Sequence, residues 1–296
     1  MNTATHYEPS GKIDPAMTVI SVLVAMAIVT GLSFLYVFFT EVIPIIYLAI
    51  LILIGYGLTL GYLTKMVMFF GKFRSKPAAY GVALLLSVWA IITSWLAFIS
   101  YLSLDYASSF SDYLTWFPEL LYPSNLATII GEVNEYGTWG VGVGSSGNNT
   151  VSGFLLTLVW IAEIATLIAM PLISVRAKSL PPFSEEEDAF FDEFILKNDF
   201  QGIISGGKAS ELLVERPLDY LASIEVSSRF PISRVVVYTL PRSSVAYVSI
   251  LKVRVNHKQQ EEVHPVVEHL RVPGAVAREI LGEYAAKKDP IGVLLT

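Results

Sequence analysis

One carboxylate stands where hydrocarbon is expected. Residues 158–170 read "LVWIAEIATLIAM", and Glu163 is the single charged group in that run. An acid at the centre of a bilayer costs about 2.5–3.5 kcal/mol on insertion scales, and such acids often mark proton or cation paths. The other apolar runs of the chain offer it no Lys, Arg or His; at matching depth they offer Thr30, Tyr56, Thr93 and Ser94. Hydroxyls satisfy a neutral carboxylic acid but do not balance a full negative charge, so desolvation is expected to hold Glu163 mostly protonated. Two kinds of chemistry are open to it. The first is interhelical hydrogen bonding, worth about 0.6–2 kcal/mol. The second is a proton or cation site on a transport path. The paired broken helices and inverted repeats of secondary transporters are not visible in the sequence.

The other candidates for chemistry are weaker. Gly202, Gly207 and Lys208 have the spacing of a phosphate-binding loop, but Ala209 stands where a magnesium-holding Ser or Thr is needed. His257, His264 and His269 suggest a metal, yet His264 and His269 are an odd number apart on one expected strand and so point to opposite faces. Cysteine is absent, which removes disulfides, thiolate catalysis and Cys-based zinc sites. No set of serine, histidine and acid has a supporting context. The sequence therefore gives no catalytic residues, no cofactor and no metal site, and it points away from an enzyme. Asn148-Asn149-Thr150 matches a glycosylation sequon, close against an apolar run.

The elements that must position Glu163 follow from composition. The chain has 296 residues, 53% hydrophobic and 16% charged, where a soluble chain carries about 25% charged residues. Residues 1–174 hold 5 Lys/Arg and 9 Asp/Glu, and residues 175–296 hold 15 and 17. Two solvents are implied, with a boundary near Val175. A spanning helix needs about 20 apolar residues, and four segments qualify, at about 17–39, 42–63, 79–101 and 151–174. Residues 1–16 form an N-terminal tail. Thr40 and Glu41 are expected in a tight turn between the first two spans, with Pro44 in the first turn of the second. Gly57 and Gly61 make a G-x-x-x-G pair in the second span, where small residues let helix backbones approach closely. The pair suits a homo-oligomer face or, with more weight, packing on the first or third span of the same chain.

Orientation follows from the short loops, since cytoplasmic loops are rich in Lys and Arg. The connection after the second span carries Lys65, Lys72, Arg74 and Lys76, whereas 102–150 has no Lys or Arg and five acids. Arg176 and Lys178 follow the fourth span. Both termini are thus expected in the cytoplasm and 102–150 outside. In that outer segment, residues 122–139 predict an amphipathic helix with Ser124 or Asn125 as cap and Leu126, Ile129, Ile130 and Val133 on one stripe. Tyr122, Tyr136, Trp116 and Trp139 suit a membrane surface, and the helix is expected to seal the outer mouth of the bundle.

The inner part, 175–296, opens with "LPPFSEEEDAFFDEF", where Ser184 and Glu187 form a capping-box pattern for a helix bearing Phe190, Phe191 and Phe194. A turn leads into a helix at 209–215. From Ser233 the period changes to two: strands through 240, from 245 to 256 and over 261–272, then a closing helix from Gly274. The net charge of −6 and the lack of a basic stripe give no case for nucleic acid.

The fold class expected is a membrane all-α four-helix transmembrane bundle followed by a small soluble α+β domain, an antiparallel meander with flanking helices. Two stretches, "VIPIIYLAILILIGYG" at 42–57 and "VNEYGTW" at 133–139, resemble a group of uncharacterised bacterial polytopic membrane proteins. That resemblance implies a bacterial inner membrane and no activity. The reading that follows is a non-enzymatic membrane anchor that binds a protein partner through its cytoplasmic domain. Its rival is a small proton- or cation-coupled transport unit using Glu163. A third reading is a membrane enzyme with its site in the outer segment.

Overall fold

A computed structural model describes residues 5–42, 46–103, 122–137, 139–140, 150–177, 180–203 and 205–288. The chain divides into two units: Ile13–Lys178, and Met1–Lys12 together with Ser179–Thr296.

The first unit is helical. It contains α1 (Pro15–Val42), α2 (Ile46–Phe70), α3 (Lys76–Ser103), a short α4 (Pro123–Tyr136), the two-residue strands β1 (Trp139–Gly140) and β2 (Thr150–Val151), and α5 (Gly153–Ala177). The four long helices are each long and apolar enough to cross a membrane. The Oδ1 of Asp14 accepts the Met17 N–H and caps α1, and Pro15 takes the first helical position, where a missing N–H is no loss. α2 runs on through Lys65 to Phe70, beyond its expected end at Leu63, and stops where Lys72 turns left-handed at φ 47°. Pro44 lies outside the described residues. The helices are apolar nearly all round, and their outward positions stay apolar: Leu23, Leu51, Leu58, Phe154 and Ile173 are all more than half exposed. Apolar surface on this scale marks an interface with lipid or with protein.

Inside the helical unit, α1 turns Ala25, Val29, Ser33, Tyr36 and Val37 inward. Gly57 and Gly61 face α5, which corrects the expectation of the first or third span. A Cβ at 57 would stand 2.9 Å from the Met170 Cγ, and one at 61 would run into the Ser174 side chain. Side chains of α5 thus occupy the space that a Cβ would take at either position. The expected outer helix is α4. It starts from Tyr122 with Pro123 in its first turn and no side-chain cap, so neither Ser124 nor Asn125 caps it. Leu126 and Ile129 pack on the cluster of Leu96 and Ile99 of α3, and the Asn134 Nδ2 donates to Thr157 Oγ1 of α5 at 2.8 Å. Trp116 and the sequon asparagines 148 and 149 lie outside the described residues.

The second unit is built on an antiparallel sheet in the order β10-β5-β7-β8-β9, from β5 (Asp192–Leu196), β7 (Ile232–Thr239), β8 (Val245–Val255), β9 (Glu261–Pro273) and β10 (Ala286–Lys288); β6 (Phe200–Gln201) also pairs with β7. The three period-two segments are β7, β8 and β9, close to their expected limits. Helices α6 (Gly206–Glu215), α7 (Pro217–Ser223) and α8 (Gly274–Glu283) cover one face. There Leu213, Leu221 and Ile280 bury against Val235, Val237, Val248 and Leu270. The other face carries Phe191, Val236, Tyr238 and Leu240.

Two parts of this unit differ from expectation. The helix expected from Ser184 is a hairpin, β3 (Phe183–Ser184) to β4 (Ala189–Phe190), followed directly by β5. The Ser184 Oγ does accept the Glu187 N–H at 3.1 Å, so the local capping bond forms. Asp188 then adopts φ 49° and turns the chain out of the helix, and pairing of β5 with β7 outweighs the helical preference of the acids. The second difference is the N-terminal tail. Residues 5–12 belong to the sheet unit: His6 bridges to Leu270 of β9, and the tail's backbone bonds to β9 on either side.

Candidate functional site

Three polar groups of the helical unit share one depth. Glu163, Tyr56 and Thr93 each stand ten residues from a helix end, at Gly153, Ile46 and Ser103. That is about 15 Å along each axis at 1.5 Å per residue. The partner of Glu163 is Tyr36, whose hydroxyl donates to Glu163 Oε1 at 2.9 Å. Tyr56, Thr93 and Ser94, the partners expected for Glu163, instead belong to a neighbouring group. The Tyr56 and Ser33 hydroxyls lie 2.7 Å apart, those of Ser33 and Thr93 2.6 Å apart, and Thr93 donates to the Trp89 carbonyl at 2.8 Å. One direction satisfies all of them, with Tyr56 donating to Ser33, Ser33 to Thr93 and Thr93 to the backbone. Ser94 lies near the Tyr56 hydroxyl, yet its Oγ is buried without a hydrogen bond among the described residues. Thr30 accepts from Trp89 Nε1 at 3.1 Å, away from Glu163.

Tyr36 and Tyr56 join the two groups through their rings, stacked with centroids 5.3 Å apart and planes 26° apart. The hydroxyls do not meet. The acid–phenol pair and the triple of hydroxyls are therefore adjacent networks and not one proton wire. A second acid borders the first: Glu41, near the end of α1, is half-buried and close enough to Glu163 and Tyr36 for their charges to interact. The arrangement can hold a neutral carboxylic acid by hydrogen bonding, and two acids with a phenol can also hold a proton or a small cation between them.

Sequence reasoning missed Tyr36, Ser33 and Glu41. Ser33 and Tyr36 share the inward stripe 25-29-33-36-37 of α1, and hydroxyls three apart on one stripe are a signal that could have found them. Glu41 reads as a turn residue until α1 is seen to continue to Val42.

In the sheet unit the other candidates separate. Gly202 packs under Pro231 and Gly206 under the Val266 carbonyl, so these glycines serve backbone contact. The short strand before them, β6, runs antiparallel to β7, unlike the parallel strand of a phosphate-binding loop. His257 lies in the β8–β9 turn and His264 opposite Lys252. His269 sits at an irregularity of β9 with φ 45°, edge-on to Tyr238 with centroids 5.0 Å apart. Burial and the neighbouring His6 push its imidazole below the usual range, against the opposing pull of Glu268. An open cavity of about 360 Å³ beside it is framed by Tyr7, Glu186, Phe191, Tyr247 and Arg271.

No family model, curated protein or solved structure matches the chain.

Proposed function

We propose that the chain is an integral membrane protein of the plasma membrane, bacterial by the resemblance of its spans, in which the four long helices form a transmembrane bundle that anchors the sheet unit in the cytoplasm to bind a protein partner. One observation carries this reading. Residues 5–12 and residues 179–288 belong to one compact unit, so the chain enters the helical unit from the sheet unit and returns to it. An even number of spans and a shared terminal domain agree, and the sheet unit is fastened at both of its covalent links. The Arg- and Lys-bearing connections support a cytoplasmic location for that side. Capture tests the reading. The full chain in lipid nanodiscs, cross-linked in a cell extract, is expected to retain one discrete partner, and retention is expected to fall when the sheet surface is altered. Retention unchanged by any sheet-surface variant would remove the reading.

A second reading uses Glu163, and the Glu41–Tyr36–Glu163 grouping favours it. Two acids and a phenol grouped together provide a place for a transported proton or small cation. Reconstituted flux decides it. Glu163→Gln is expected to abolish proton- or cation-coupled flux while leaving the fold intact, and equal flux in both chains would contradict it.

A further inference from the structure

Residues Thr5–Tyr7 lie along the outer edge of β9 as an added antiparallel strand. The Tyr7 N–H donates to the His269 carbonyl at 2.9 Å, and the Arg271 N–H donates to the Thr5 carbonyl at 2.8 Å. His6 Nδ1 donates to the Glu268 carbonyl at 2.6 Å. The Tyr7 ring meets Tyr247 edge-on, with centroids 5.4 Å apart, at the mouth of the open cavity. Further along, Ser10 Oγ donates to Glu185 at 2.6 Å and Lys12 stands 3.9 Å from the same carboxylate. Main-chain bonds to a sheet edge together with one seated side chain are how domains take up extended peptides. Here the peptide is part of the chain. Two main-chain bonds hold it at the edge, and β9 keeps its own ladder to β8 from Val245–Pro273 to Val255–Glu261. The occupant can therefore leave without opening the sheet.

We propose that this edge of β9 is the docking surface for the partner, and that residues 5–12 fill it as an internal competitor. The partner is an extended segment of another protein that presents an aromatic side chain in the place of Tyr7 and a base in the place of Lys12. The aromatic seats against Tyr247, and the base meets Glu185. This rests on the anchor reading above and adds to it the surface used and the pattern recognised.

The probe is a fluorescent peptide of the chain's own residues 3–12, TATHYEPSGK, titrated in detergent against the full chain and against a chain lacking residues 1–12. A tethered segment competes at about millimolar effective concentration. The shortened chain is therefore expected to bind the probe at least ten-fold tighter than the full chain. Replacing the probe's tyrosine by alanine, or methylating that tyrosine's backbone nitrogen, is expected to lose at least ten-fold, and these changes leave the receptor untouched. A Thr5→Cys, Arg271→Cys full chain, in a protein with no native cysteine, is expected to shut out the probe when oxidised and admit it when reduced. Equal binding to full and shortened chains, or undiminished binding of the methylated probe, overturns the proposal. A partner captured by the full chain and still held by the oxidised double variant would overturn this surface while leaving the anchor reading in place.

Discussion

The two units solve opposite problems with the same side chains. In the helical unit the outer surface is apolar and the polar groups turn inward: Ser33, Thr64, Ser87 and Thr93 are almost wholly buried. Thr64 and Thr93 donate to a carbonyl four residues back, and the Ser87 hydroxyl lies within hydrogen-bond distance of both the Ala83 and the Leu167 carbonyls. In the sheet unit the main core is Leu, Ile, Val, Phe and Ala, and most charges lie outside it, with Glu193 buried and Arg234 paired with Asp199 at 3.2 Å nearer the surface. The comparison teaches that polar contacts specify the helical unit, because apolar surface is everywhere and selects nothing. Apolar burial specifies the sheet unit.

Substitutions of equal size should then act unequally in the two units. The largest effect is expected from Phe200→Ala. Phe200 is fully buried beneath the helices of the sheet unit, edge-on to Tyr284, and its removal should cost about 3–5 kcal/mol, read as a lowered thermal midpoint of that unit. Next is Gly61→Val, where a branched side chain meets Ser174 and the Met170 carbonyl. Overpacking of this kind costs about 1–3 kcal/mol, and resistance of the helical unit to denaturing detergent should fall. Tyr36→Phe removes the donor to Glu163 and should cost about 0.6–2 kcal/mol by the same assay. A loss as large as that of Phe200→Ala would break the comparison, since it would make one polar bond outweigh a packed core.

The smallest effect is a pH dependence confined to the sheet unit. His269 faces His6 and Tyr7 of the N-terminal segment, Tyr238 of β7 beside Glu193, Ser249 of β8 and its own neighbour Glu268. Its folded-state pKa lies below the ordinary 6.5, so folding releases the proton. The stabilisation is complete above about pH 6.5 and declines as the pH falls toward the folded value. Thermal unfolding followed across that range should show the decline, and His269→Asn should flatten it.

How much the sequence revealed differs between the units for the same reason. Hydropathy locates the four long helices, with α2 running seven residues past its expected end, but says nothing about their rotation, because an all-round apolar helix carries no apolar stripe. Gly57 and Gly61 announced a close contact without naming α5, and Glu163 announced a need without naming Tyr36. In the sheet unit, the alternation itself marks strands, so β7, β8 and β9 were legible. The stretch from Ser184 was misread because its acids and capping serine favour a helix locally, and only the left-handed Asp188 and the β7 edge decide otherwise. The Thr5–Tyr7 strand is too short to show any period.

Cysteine accessibility tests the central claim most directly, because the native chain has no cysteine. Glu8→Cys, Gly207→Cys and Gly131→Cys place single thiols at exposed positions in the tail, at the start of α6 and on α4. With an impermeant maleimide on intact cells, only the thiol at 131 is expected to react, and those at 8 and 207 are expected to react together once the membrane is opened. Labelling of 131 and 207 from the same side, or of 8 and 207 from opposite sides, would contradict the account.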